Sequence, residues 1–221
     1  VTNKKRMIGV GAVALSLLLP WSAAPAWADA APVAATASTP SATSPQGAVA
    51  ALDNALLEAM KGGKALGYAG RYRIVFPVVQ QLFDFEKIAS LTMGPYWAQL
   101  HGAQQKEFMT VLAEYTAATY AARFDRYDGE RFAITSSQML QPGTMGVFTT
   151  FTEHNGKVHR FDYLLQQTGQ QWRIVNVVAD GVSDLSMKRA EYTDTMKSKG
   201  FQALVAHLRK QIDGYAREGG Q

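Results

Sequence analysis

The sequence predicts an α+β fold in which a curved four-stranded antiparallel sheet is covered by helices on one side. Three observations predict it. Apolar residues recur every three or four positions as far as Tyr127, the period changes to two between Phe132 and Ala179, and helical spacing returns after Gly181. The period-two stretch is rich in Phe, Val, Ile, Thr and Tyr. Pro142-Gly143, Asn155-Gly156 and Gly169 divide it into consecutive runs whose connections suit hairpins and are too short for parallel crossovers.

In chain order, Ser44 is placed to cap a helix with Pro45 at its first position, and Val49, Leu52, Leu56 and Met60 form its apolar stripe until Gly62-Gly63 stops it. Two further short helices are expected between Arg71 and Leu91. Pro77 opens one, and Asp84 caps the run holding Phe85, Ile88 and Leu91. Gly94-Pro95 breaks the chain before Tyr96-Trp97. The longest helix is expected from Ala103 to about Tyr127, with Phe108, Val111, Leu112, Tyr115, Thr119 and Ala122 on one face, and Asp128-Gly129 ends it. Strands follow at 132–139, 145–151, 157–166 and 172–179. Asn155-Gly156 is the strongest turn signal, because a type I′ hairpin needs positive φ at both central residues. Ser183 then caps a helix carrying Leu185, Met187 and Tyr192. Gly200 closes it, and Phe201, Leu204, Val205, Leu208 and Ile212 make a last amphipathic helix.

The first 28 residues read as an export signal. Lys4, Lys5 and Arg6 precede an apolar stretch from Met7 to Leu19, and Ala26-Trp27-Ala28 places small residues at the cleavage site. A membrane anchor is the competing reading, but the stretch is short of the roughly 20 residues a span needs and Pro20 interrupts it. Losing this segment lowers the formal charge from +4 to +1, so the pI of 9.2 is largely a property of the signal and does not argue for nucleic acid. Residues 29–46 are Ala, Pro, Ser and Thr with almost nothing large, as in a flexible linker. The globular domain is expected over 47–216, and 217–221 as a disordered tail.

With 47% hydrophobic and 18% charged residues in 221, the chain has enough apolar material for one packed domain, which excludes disorder. There is no cysteine, so disulfides, thiol catalysis and thiolate metal sites are excluded. His101, His154, His159 and His207 stand singly without HExxH or a carboxylate at ligand spacing, so no metal site is expected. GxSxG, P-loop and GxGxxG motifs are absent, which leaves no catalytic or cofactor-binding residues to assign. Asp162-Tyr163 invites a proton-transfer reading, but adjacent strand residues point to opposite faces. Tyr163 is expected inside, with Asp162 paired outside to Arg160 or Arg173. Arg123, Arg126 and Arg131 lie among Asp125, Asp128 and Glu130 as a self-compensating surface cluster. Aromatic residues come from nearly every element, which suits either a solid core or an apolar pocket.

The run Phe83-Asp84-Phe85 with Ile88-Ala89, then Met93-Gly94 and Trp97, Gln105 and Phe108, Asp162-Tyr163, Trp172-Arg173-Ile174-Val175 and Gly181-Val182-Ser183 resembles, in order and spacing, the periplasmic MlaC/toluene-tolerance lipid-carrier family. The stretches from Lys64 to Tyr72 and from Tyr120 to Phe132 resemble more narrowly its hopanoid-associated HpnM branch. The resemblance covers Gln46 to about Gly214. It implies an NTF2-like domain with an internal apolar pocket, no cofactor, and a carrier, not an enzyme. The ligand implied is a hopanoid or a phospholipid, shuttled through the periplasm between inner and outer membranes. The partners implied are a membrane-bound MCE/ABC transporter or other lipid exporter and an outer-membrane acceptor or donor, with the protein a monomer. Family positions Tyr72, Phe76, Trp97, Tyr115 and Val147, joined by Phe161, Tyr163 and Val182, are the expected lipid-binding residues. The family usually carries Asp where this chain has Asn176. Two alternatives stay open. One is a periplasmic adaptor with a filled core and no ligand. The other is a steroid-isomerase-like enzyme, which a pocket without ionisable side chains would dismiss.

Overall fold

The computed structural model describes residues 42–219; the expected signal and nearly all of the expected linker lie outside the described residues. Helix α1 (Pro45–Leu82) begins inside the stretch assigned to the linker, because Ser44 Oγ accepts the Gly47 N–H at 3.0 Å and Pro45 occupies its first turn. Gly63 (φ 44°, ψ −128°) and Gly67 (φ 59°, ψ −179°) interrupt α1 in conformations that a side chain disfavours. The expected stop is therefore a double kink, after which the helix resumes. It then passes through Pro77, which was expected to open a helix. Pro77 lies on the exposed face, where water can take the carbonyl its missing N–H leaves free.

The chain then crosses to the sheet. Phe83 bridges Ile174, and the Asp84 N–H donates to the Ile174 carbonyl at 3.0 Å. Asp84 caps α2 (Phe85–Met93), its Oδ1 accepting the Lys87 N–H at 2.9 Å while Oδ2 accepts from Thr168 Oγ1 at 3.1 Å. A 3-10 turn (Gly94–Gln99) leads to α3 (Gly102–Arg123), which opens with a reciprocal cap between His101 and Gln104. α3 ends before Tyr127, where the sequence had placed its end.

Strands β1 (Arg131–Gln141), β2 (Thr144–Thr152), β3 (Val158–Thr168) and β4 (Gln171–Ala179) form the expected meander. A two-residue strand, β5 (Val182–Ser183), adds an edge that periodicity is too short to reveal, making an open five-stranded antiparallel sheet. The Asn155-Gly156 hairpin is not type I′. Among the described non-glycine residues only Asp180 has positive φ, and the Gly156 N–H donates to the Glu153 carbonyl at 2.9 Å, so Glu153–Gly156 is an ordinary turn with Gly156 alone left-handed. Asn155 Oδ1 accepts the Lys157 N–H at 2.9 Å, which fixes Asn155 by its side chain. Ser183 caps α4 (Asp184–Lys199), and after Gly200 α5 (Phe201–Glu218) runs two residues into the expected tail. Among the described residues no helix is long and apolar enough to cross a membrane.

The helices form two apolar clusters. One joins α1, the C-terminal half of α3 and the inner face of the sheet, with Val49, Leu52, Leu56, Val79, Ala117, Val147, Tyr163 and Ile174 buried in it. The other joins α2, the N-terminal half of α3, α4 and α5 around Phe108, Leu112, Tyr192 and Leu204. Burial on α3 shifts from Phe108 and Leu112 to Ala117, Ala118 and Ala121 along the helix, so its small residues fall in the second half.

Candidate functional site

The inner face of the sheet is fixed by strand alternation. Val147 and Tyr163 are antiparallel partners, as are Thr149 and Phe161, and Tyr163 in turn faces Val177 on β4. Thr149, 1% exposed, donates its hydroxyl to the Phe161 carbonyl at 2.9 Å, so its polarity is absorbed by the neighbouring strand. Above this face lie α1 and α3. Aromatic rings run in a continuous series from α2 to the sheet. Phe85 stacks on Phe83 (5.8 Å), Phe83 meets Tyr120 (6.3 Å), and Tyr120 meets Phe124 (6.0 Å); Phe124 then touches Phe132 and Phe151, and Phe151 touches Phe161 (6.4 Å). Phe124, Phe132, Phe151 and Phe161 are only half-buried, so the series ends in a greasy rim beside the α3–β1 connection.

One carboxyl lies in this layer. Asp53 on α1, 5% exposed, shares the face of Val49 and Leu56, and its Oδ1 has no hydrogen-bond partner. Burial pushes its carboxyl up to about 7. Burial and then the Asp53 charge hold the Tyr163 phenol above its ordinary value, while for Tyr120 burial and the Asp184 charge come before the smaller effect of Asp53. The sequence carried a signal for it, an acid four residues after Val49 and three before Leu56 on an apolar stripe, which the reading of α1 passed over.

The eight residues expected to bind lipid separate into three places. Tyr72, Phe76, Val147, Phe161 and Tyr163 all belong to the layer between sheet and helices. Tyr72 stacks on Phe76 (5.2 Å, 14°), and burial with the nearby Glu114 charge pushes its phenol up to about 12. Trp97 and Tyr115 belong to the second cluster. Tyr115 packs against Tyr215 at 6.2 Å, with the Lys188 ammonium over its ring at 5.4 Å. Val182 belongs to neither: β5 is so short that the side chain is 53% exposed. As expected, Tyr163 faces inward, while Asp162 lies 3.1 Å from Arg160 Nη2 on the opposite face.

Two clefts among the described residues are open and polar. One, of about 220 Å³, is lined by Asp84, Glu86, Lys87, Ser90 and Trp97; the other, of about 450 Å³, lies along Arg126, Asp128, Glu153 and His154. Neither lies between the sheet and the helices, where the apolar side chains of the first cluster gather. Among the described residues no group of histidines and carboxylates is arranged to hold a metal ion.

The family model described as MlaC protein matches residues 50–210, which spans α1 to α5. The chain belongs to the MlaC family. The toluene tolerance protein ttg2D of Pseudomonas putida is 24% identical over 152 residues, covering 68% of this chain and 66% of that protein, so the chain spans just under two thirds of the relative's length. A solved phospholipid-binding protein from Ralstonia solanacearum, in complex with a phospholipid, superposes with a TM-score of 0.65 at 21% identity. The match covers 77% of this chain and 98% of that one, and it establishes the shared α+β fold.

Within the MlaC family this chain's Asn176 has a definite place. Its Nδ2 donates to Ser183 Oγ at 3.1 Å and its Oδ1 accepts the Leu185 N–H at 3.1 Å, which pins the start of α4 to β4. A neutral amide does both tasks, so no charge is needed there.

Proposed function

We propose that this MlaC-family protein is a periplasmic lipid-binding carrier that takes up the apolar part of a lipid between the inner face of its sheet and helices α1 and α3. The observation that carries the reading is the aromatic and aliphatic layer holding Tyr72, Phe76, Val147, Phe161 and Tyr163, ending in the half-buried rim of Phe124, Phe132 and Phe151. The phospholipid complex of the Ralstonia protein, built on the same fold, supports a phospholipid-sized ligand. Desolvating a chain needs no cofactor, because each buried methylene contributes about 0.8 kcal/mol. A polar headgroup stays in water at the rim. The narrower reading is that the cargo is a hopanoid, as in the HpnM branch, that it moves between inner and outer membranes, and that a membrane-bound MCE/ABC transporter or other exporter and an outer-membrane component exchange it.

The experiment is native extraction: the exported protein is purified from its own cells and its solvent extract identified by mass spectrometry. A stoichiometric phospholipid supports the general carrier, and a hopanoid the narrower branch. An empty extract followed by no binding of added lipid overturns both and favours the adaptor. The steroid-isomerase-like alternative retains one observation, a buried carboxyl near two phenols. Turnover of a ketosteroid by the purified protein would be its signature.

A further inference from the structure

Two buried polar side chains, one on Asp53's own helix and one on the sheet, are paired, whereas the Asp53 carboxyl is not. Arg71, 3% exposed, donates from Nε to the Ala121 carbonyl (2.8 Å) and from Nη1 to the Gly63 carbonyl (3.0 Å), and Thr149 donates to Phe161. Asp53 is equally buried, yet its Oδ1 meets nothing. Arg173 Nε, the Tyr192 hydroxyl and Gln211 Oε1 are also unpartnered, but Arg173 alternates with the inward Ile174 on β4, Tyr192 lies in the second cluster and Gln211 is on α5. Leaving a phenol or an amide oxygen unpaired also costs far less than leaving a carboxylate so. A carboxyl held for structure would be paired as Arg71 is, and a leucine would fill the position without any desolvation penalty. The unmet oxygen is a hydrogen-bond acceptor lying among the residues that form the candidate lipid site.

We propose that Asp53, with the Tyr120 and Tyr163 phenols near it, is an internal polar contact of the lipid site, and that it accepts a hydrogen bond from a hydroxyl borne on the apolar body of the ligand. This deepens the carrier reading and rests on it. Such a contact selects among lipids in a way that a purely greasy layer does not. A plain acyl chain leaves the carboxyl unpaired, whereas a chain or ring system with a hydroxyl at that depth satisfies it, and sites built to hydrogen-bond a ligand reject analogues lacking the group.

The test measures binding of two phosphatidylcholines, identical except for one mid-chain hydroxyl, to the delipidated exported protein and to two variants, Asp53→Leu and Asp53→Ala. Both variants are followed by thermal melting so that a folding failure in one leaves the other to be read. The expected result is about tenfold tighter binding of the hydroxylated lipid by the unaltered protein, a ratio that falls to about one in the variants. Equal binding of both lipids by the unaltered protein overturns the Asp53 contact and leaves the carrier reading standing. A preference that survives in both variants also overturns it, by placing the recognition elsewhere. Binding of neither lipid takes down the carrier reading and the contact with it.

Discussion

Val147 on β2 and Tyr163 on β3 face each other directly across the sheet, 0% and 3% exposed, at the centre of the layer covered by α1 and α3. Opposed positions on an antiparallel pair bring their side chains within contact, so the two act as one packing unit. Tyr163→Ala is therefore expected to cost about 3–5 kcal/mol, the range for emptying a buried aromatic site. Tyr163→Phe, which keeps the ring, is expected to cost much less. Urea titration of the two variants separates the ring from its hydroxyl.

The Asp53 carboxyl gives the fold a pH dependence opposite to that of a paired acid. Its folded value of about 7 lies above the ordinary 3.8. Between roughly pH 4 and 7 the folded state holds a proton that the unfolded chain has released, so stability falls as pH rises and levels off above 7. The full effect is up to about 4 kcal/mol, three pKa units at 1.36 kcal/mol each. Asp53→Leu is expected to flatten that decline and to be more stable than the unaltered protein at pH 8. Melting both proteins across the range checks it, and parallel curves would mean that Asp53 is solvated or paired in solution.

Arg71 and Gly63 jointly hold the kink of α1 against the end of α3. Arg71→Met leaves two buried carbonyls, of Ala121 and Gly63, without donors, and is expected to cost about 2–4 kcal/mol. For Gly63→Ala the new methyl has room, its nearest contact being the Asp125 carbonyl at 3.5 Å, so the cost is that of φ 44° alone, about 1–3 kcal/mol. Denaturant midpoints measure both. A neutral Gly63→Ala would show that the kink relaxes readily.

Phe161 and Val182 test which expected lipid-binding residues belong to the site. Phe161 is half-buried at the rim, touching Phe151, whereas Val182 points into solvent from β5. Phe161→Asp is expected to weaken lipid binding at least tenfold by placing a charge where the acyl chain enters. Val182→Ser is expected to leave binding unchanged. Fluorescent-lipid displacement reads both, and equal losses would return Val182 to the site.

Particular residues show where the sequence was legible. The four long strands were, because Phe161 and Tyr163 alternate with Arg160 and Asp162 and a burial pattern of period two has no helical counterpart. Local caps were too, since Ser44, Asp84 and Ser183 bond N–H groups three residues ahead. What was not legible depends on partners distant in sequence. Pro77 looked like a helix start because its tolerance on α1's exposed face is a tertiary fact. Trp97 and Tyr115 are as apolar as Tyr72 and Phe76, and only the division of α3 between two clusters sends them elsewhere. Val182 was expected to bind lipid because nothing in its identity says that it lies on a two-residue edge strand, where it is exposed. Asp53 was missed because an acid on an apolar stripe becomes conspicuous only once its lack of a partner is seen.

His159 ties three strands at one end of the sheet. Its Nδ1 lies 2.7 Å from Asp180 Oδ2 and its Nε2 2.8 Å from Glu153 Oε1, while Asp180 Oδ1 also accepts the Arg160 N–H at 2.8 Å. The hydrogen bond with Asp180, and then that with Glu153, raises the imidazole above its ordinary 6.5 against the opposing effect of burial. The His159 hydrogen bond in turn lowers both carboxyls from their ordinary 4.5 and 3.8. The imidazole's contribution is complete below about pH 6.5 and is lost as pH rises through its raised value; the carboxylates' contribution is present above about pH 4.5 and is lost as pH falls through their lowered values. The clamp is thus tightest in mildly acidic solution. His159→Gln is expected to cost about 1 kcal/mol or less near pH 6, since the pairs are partly solvated, and almost nothing near pH 9. Melting curves at the two pH values decide it. A loss of the same size at both would mean that the imidazole holds this end of the sheet by packing on Phe151, 6.4 Å away, and not by its charge.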